Sequence, residues 1–73
     1  MIGNLDVTRE KYDLTVKKVD ATNPNKGLPG ARFMVRSENG TYEQEIVTGS
    51  DGTYTIKGLD ASTYSIVELE APE

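Results

Sequence analysis

The side chains able to do covalent or acid–base chemistry in this 73-residue chain are lysines and carboxylates, because it contains neither cysteine nor histidine. That removes disulfides, thiol or hydroxyl nucleophiles activated by imidazole, and the usual ligands of zinc and haem. Glu43, Glu45, Glu68, Glu70 and Glu73 offer carboxylates for a glycosidase pair. Alternating acids on strands usually make a solvated face, however, and a chain this short has no room for a large cleft. Ser50-Asp51-Gly52-Thr53 presents oxygens to calcium, but it lacks the ligand spacing of an EF-hand and reads as turn chemistry. What remains is a pair of adjacent lysines, Lys17 and Lys18, in one apolar segment, and Glu68 in another.

The elements that must position these groups are strands. Turn signals recur at short intervals: Asn23-Pro24-Asn25-Lys26-Gly27, Leu28-Pro29-Gly30, Asn39-Gly40, Gly49-Ser50-Asp51-Gly52 and Gly58-Leu59-Asp60. Between them lie runs rich in β-branched and aromatic residues, and no segment keeps a 3.6-residue apolar period, so the spacing predicts an all-β sandwich or barrel. The first strand is expected over Leu14 to Asp20, where Leu14, Val16, Lys18 and Asp20 share one face. Lys18 therefore follows two apolar neighbours inward and Lys17 does not. Ala31, Phe33 and Val35 form the inner face of a second strand. Asn39-Gly40 suits a tight hairpin turn needing positive φ, leading into Tyr42 to Thr48 with Tyr42 and Ile46 inward. Thr53 to Lys57 and Thr63 to Glu70 complete the set. In the last strand Tyr64 and Ile66 compete with Val67 and Leu69 for the inner face, and if the first pair wins, Glu68 enters the interior with them. A carboxylate there is costly unless paired. Residues 1–13 read as a linker or weak N-terminal strand.

Bulk properties narrow the function. Acidic residues number 12 against 8 basic, a net charge of -4, with four Tyr and one Phe and no basic run, which disfavours nucleic-acid partners. No apolar stretch approaches the roughly 20 residues that cross a bilayer, and the start has no signal-peptide core, so no membrane contact is expected and targeting or anchoring segments belong outside this stretch. A domain of about this size buries only about 60% of its unfolded surface, so a stabilising staple other than a disulfide is expected.

Lys18-Val19-Asp20, Leu28-Pro29-Gly30-Ala31-Arg32-Phe33, Thr48 to Gly52, Gly58-Leu59 and Tyr64 to Pro72, in this order, together resemble a Cna B-type domain. The resemblance covers residues 14–73. It implies a prealbumin-like or reversed immunoglobulin-like β-sandwich serving as a spacer in adhesins and pilins on the surface of Gram-positive bacteria. It further implies an isopeptide bond between a first-strand lysine and an asparagine or aspartate on the last strand, with a glutamate before the Ala-Pro motif as catalyst. Carried over by motif, the nucleophile is Lys18 and the catalytic acid–base is Glu68, with no cofactor and no metal.

The chemistry has a physical requirement. An amine attacks a carboxamide only when neutral, and free lysine with a pKa of about 10.4 is mostly protonated at neutral pH. Desolvation favours the neutral forms of amine and carboxyl alike, and reactants held side by side gain an effective molarity of about 10⁵ M or more. Such a bond forms once, without turnover, so the chain is not expected to be an enzyme.

One departure from the family pattern matters. Relatives of this type continue past the proline with Gly-Tyr and a final strand bearing the acceptor, whereas here Glu73 follows Pro72, so the acceptor strand is expected to be absent. Asn23, Asn25 and Asn39 read as turn residues; Asn4 alone would suit a relocated strand. Three roles follow: a covalently locked extracellular, wall-attached spacer with neighbouring domains as partners; a split domain that captures an acceptor-strand peptide; and a noncovalent protein- or glycan-binding module.

Overall fold

A computed structural model describes residues 10–72, which form seven strands and no helix. These are β1 (Lys11–Lys17), β2 (Val19–Asp20), β3 (Asn23–Gly27), β4 (Arg32–Ser37), β5 (Glu43–Val47), β6 (Thr53–Asp60) and β7 (Tyr64–Glu70). All pairings are antiparallel: β1 with β6, β2 with β3, and β4 between β5 and β7. The β1–β6 pair and the β5–β4–β7 sheet share one core, with Val16, Ile56 and Leu59 from the first meeting Ala31, Phe33, Val35 and Ile46 from the second. Val35 and Ile46 are the largest fully buried side chains, each contributing about 1.5–3 kcal/mol. The fold is an all-β, incomplete sandwich: among the described residues β1, β5, β6 and β7 each pair along one side, so neither layer closes.

The alternation expected for β4 and β5 is observed. Phe33 pairs with Ile46, both buried, while Arg32 and Met34 pair with Val47 and Glu45 on the outer face. β6 carries a change of parity that the sequence pattern did not suggest. Tyr54 and Ile56 face inward opposite Val16 and Leu14, but the register shifts between Tyr12 and Leu14. Gly58, at φ 75, lies in the shifted stretch and donates its N–H to Asp13 Oδ1. The irregularity turns Leu59 into the core, where strict alternation from Ile56 would have put it outside.

Three sequence expectations are corrected. Asn23 to Gly27 is a strand, not only a turn: Ala21-Thr22 makes the hairpin, Asp20 Oδ1 accepts from the Thr22 N–H and hydroxyl, and β3 pairs with β2. Pro24 is tolerated because β3 is an edge. The expected continuous strand from Leu14 to Asp20 divides at Lys18, which leaves the β6 pairing for that of β3. The Asn39-Gly40 hairpin also uses a different turn, since only Gly40 has positive φ. Ser37 N–H reaches the Tyr42 carbonyl around a type I turn and a left-handed glycine.

At the divided strand the backbone passes unusually close to the loop before β6. A Cβ on Gly27 would lie 1.9 Å from the Asp51 carbonyl oxygen, and one on Gly52 would lie 2.5 Å from the Leu28 nitrogen. Gly52 also stands at φ 82. Gly27→Ala and Gly52→Ala are each expected to destabilise the fold by at least about 2 kcal/mol, read from urea denaturation. A loss below about 0.5 kcal/mol at both would show that the two segments separate freely.

Candidate functional site

Lys18 has no strand partner of its own, yet its backbone is fully engaged. Its N–H donates to the Gly52 carbonyl at 2.9 Å, and its carbonyl accepts from the Leu28 N–H at 2.8 Å. Leu28 is itself fastened by Thr48, a buried threonine whose hydroxyl donates to the Leu28 carbonyl at 2.8 Å and accepts from the Ala31 N–H at 3.0 Å. Gly30 N–H reaches the Thr48 carbonyl, and Thr48 N–H the Ala31 carbonyl. The segments Leu28 to Phe33 and Thr48 to Gly52 thus form the frame that fixes the main chain at Lys18. Thr48 is a positioning residue whose role is not evident in the sequence, although it heads the Thr48 to Gly52 stretch of the family resemblance.

Glu68 approaches from the other layer. On β7, Tyr64, Ile66 and Glu68 stand opposite Ser37, Val35 and Phe33 of β4, which settles the parity of the last strand in favour of the inner face. Lys18 Nζ lies 3.3 Å from Glu68 Oε2, and the side chains are 32% and 35% exposed. The pair spans the two layers. Lys17 is exposed, pairs with Thr53 on β6, and lies near Asp51, whose carboxyl it helps to hold low.

β7 is less covered than its composition suggested. Ile66 on the inner face is 44% exposed, and Val67 on the outer face 56%, because among the described residues β7 pairs with β4 alone. A cleft of about 440 Å³ opens between β1 and β7, along edges that have no strand partner among the described residues, walled by Tyr12, Leu14, Leu59, Tyr64 and Ile66. Two residues beyond Ile66 comes Glu68, and four beyond Leu14 comes Lys18, so the cleft leads along both strands toward the ion pair.

The other sequence candidates lie apart. Glu43 pairs with Arg36, and Glu45 and Glu70 both pair with Arg32, a solvated network on the outer sheet face. Asp51 Oδ1 accepts from the Thr53 N–H and hydroxyl, as a turn requires. Among the described residues no group of three or more acidic side chains gathers to hold a metal ion. Asn39 sits in the β4–β5 turn, at the Ser37–Tyr64 end of the sheet and away from Glu68. Asn23 and Asn25 are exposed on β3. Asn4 lies outside the described residues.

A family model for the SpaA prealbumin-like fold domain matches residues 12–73, a span that includes Lys18 and Glu68. The chain belongs to this family. It is a prealbumin-like, Cna B-type domain of the kind found in Gram-positive surface proteins, and the family is structural rather than enzymatic. Serine-aspartate repeat-containing protein D of Staphylococcus aureus, in strains Newman and MW2, is 31% identical over 78 residues. That alignment covers 97% of this chain and 6% of the relative, so the chain spans a small part of such a protein's length. No solved structure matches it.

In this prealbumin-like domain a pair one-third exposed is worth less than about 1 kcal/mol. Glu68→Gln and Lys18→Met in the 73-residue chain are therefore expected to move its urea stability by no more than that. A larger loss would mean that the pair is a structural clamp in its own right. The two turn aspartates give a pH expectation. Asp20 and Asp51 are both held below the ordinary 3.8, chiefly by the hydroxyls of Thr22 and Thr53 and then by the backbone N–H groups of the same residues. Since the folded values are the lower ones, their stabilisation is present above 3.8 and is lost as pH falls through the folded values. Asp20→Asn with Asp51→Asn should flatten the acid limb of thermal stability, and an unchanged limb would place the acid sensitivity elsewhere.

Proposed function

We propose that this domain is a spacer module of a Gram-positive surface protein, extracellular and wall-attached through other regions, that is locked by an isopeptide bond from Lys18 to an asparagine or aspartate on a further strand. The module in this reading begins with β1 at Lys11, a few residues before the Leu14 start expected from the sequence. The observation that carries it is the 3.3 Å approach of Lys18 Nζ to Glu68 Oε2 across the two layers, near edges of β1 and β7 that have no strand partner among the described residues. A strand entering between those edges would cover Tyr12, Leu14 and Ile66 and bring its own side chains to the pair.

The reaction then follows from the two groups. Covering the pair removes water from both charges, and transfer of a proton from ammonium to carboxylate leaves the neutral amine and acid that acyl transfer needs. Lys18 Nζ attacks the acceptor's side-chain carbonyl carbon while Glu68 protonates its oxygen. As the tetrahedral intermediate collapses, Glu68 takes the amine proton and passes it to the leaving nitrogen or oxygen, that bond breaks to release ammonia or water while the C–N bond to Lys18 stays, and the proton on the carbonyl oxygen returns to Glu68. The product is a neutral amide joining the first strand to the last. Tension on the module then loads a covalent bond instead of peeling strands apart, and the closed loop lowers unfolded-state entropy as a disulfide does.

A second reading, capture of a separate acceptor-strand peptide by β-augmentation, is favoured by the apolar cleft between the two edges. Both readings meet in one experiment. Mixing the chain with an acceptor-strand peptide should give a boiling-resistant adduct whose mass is below the sum of its parts by about 17 Da for asparagine or about 18 Da for aspartate. The adduct should disappear in Lys18→Ala and in Glu68→Gln. An adduct that persists in Lys18→Ala, or tight binding with no mass loss, would overturn the covalent mechanism.

A further inference from the structure

The β4–β5 turn holds a second piece of spontaneous chemistry that is independent of Lys18. Asn39-Gly40 is the one Asn-Gly pair in the chain; the other asparagines precede Leu5, Pro24 and Lys26. An asparagine cyclises when the next backbone nitrogen attacks its side-chain carbonyl carbon. Glycine imposes the least steric hindrance, proline has no N–H to lose, and a lysine or leucine side chain crowds the approach.

In the folded chain the Asn39 carboxamide oxygen and the attacking nitrogen are both committed elsewhere. Asn39 Oδ1 accepts three hydrogen bonds, from the Ser37 hydroxyl at 2.8 Å, the Thr41 hydroxyl at 2.8 Å and the Thr41 N–H at 3.1 Å. The attacking nitrogen, that of Gly40, donates to the Ser37 carbonyl at 3.0 Å. Gly40 also sits at φ 75, held by the turn that Ser37 and Tyr42 close. Bringing the Gly40 nitrogen onto Asn39 Cγ requires the bond to Ser37 to break and the carboxamide to leave its three donors.

We propose that Asn39-Gly40 is a deamidation site that the folded turn keeps closed, so that its modification records opening of the β4–β5 hairpin. On opening, the Gly40 nitrogen loses its proton to hydroxide and attacks Asn39 Cγ. A C–N bond forms, the Cγ–Nδ2 bond breaks, and ammonia leaves carrying a proton from water, giving a five-membered succinimide. Water then opens the ring at one of its two carbonyls to leave aspartate or isoaspartate at position 39. Isoaspartate routes the main chain through an extra methylene, and either product puts a new carboxylate beside Glu38. Because ammonia is lost, the amide cannot re-form and the opening is registered irreversibly.

The test compares the chain folded and unfolded. The protein is incubated in warm, mildly alkaline buffer with and without guanidinium, and its intact mass and peptide map are followed. Unfolded chain should gain about 1 Da at residue 39. Folded chain should do so at least about tenfold more slowly, because reaction waits on local opening. Thr41→Val, which removes one donor at an exposed position, should raise the folded-state rate several-fold while circular dichroism still reports the native fold. Equal rates in folded and unfolded chain would overturn the proposal, as would first modification at Asn23 or Asn25. So would a Thr41→Val rate unchanged in a chain that remains folded.

Discussion

The two backbone hydrogen bonds of Lys18 are the constraint around which the rest of this domain is arranged. At that residue the chain ceases to be the partner of β6 and becomes the partner of β3, and the exchange works only because the Gly52 carbonyl receives its N–H and the Leu28 N–H meets its carbonyl. Those contacts in turn require Gly27 and Gly52 to pass without side chains and Thr48 to tie Leu28 to Ala31. Three segments distant in sequence therefore converge at one main-chain position. The reward is directional: a flexible lysine side chain starts from an anchored backbone and emerges between the layers toward Glu68.

The remaining geometry is that of a sandwich with open sides. A core of seven buried apolar residues joins the two layers, while β1 and β7 each leave one edge without a partner among the described residues. An unpaired edge beside an apolar cleft is a surface that accepts strands, and it is also a route to aggregation. The outer face of β4 and its neighbours offsets part of that hazard with charge, since Arg32 and Arg36 engage Glu43, Glu45 and Glu70 across adjacent strands. The ion pair inside and the network outside thus differ in consequence. The outer charges stay in water whatever happens to the domain, whereas any strand laid over the β1–β7 opening changes the solvation of Lys18 and Glu68.

Much of this was readable from residue order. Alternation along Ala31 to Arg36 named the inner face of β4, and the short spacing of glycine, proline and asparagine named an all-β domain. The inward parity of Lys18 and its family motif agreed. The misreadings have specific causes. Asn23 to Gly27 carries turn residues yet pairs as a strand because Asp20 and Thr22 make a hairpin just before it. Leu59 enters the core because the irregularity around Gly58 and Tyr12 resets the alternation. Asn39 keeps an ordinary negative φ because the turn it occupies needs only one left-handed residue, at Gly40.

The sequence by itself determined the fold class and carried the motifs of the family resemblance, because side-chain alternation and turn chemistry are local properties. The last strand resisted that logic: Tyr64, Ile66 and Glu68 compete with Val67 and Leu69 on nearly equal terms. Only register with β4, where Phe33 stands opposite Glu68, decides the face. Likewise no local pattern joins Lys18 to Glu68, or Thr48 to the backbone that supports Lys18, since those contacts cross twenty to fifty residues of chain. Tertiary structure alone decided them, because they exist only where strands from separate layers are brought together over a shared core.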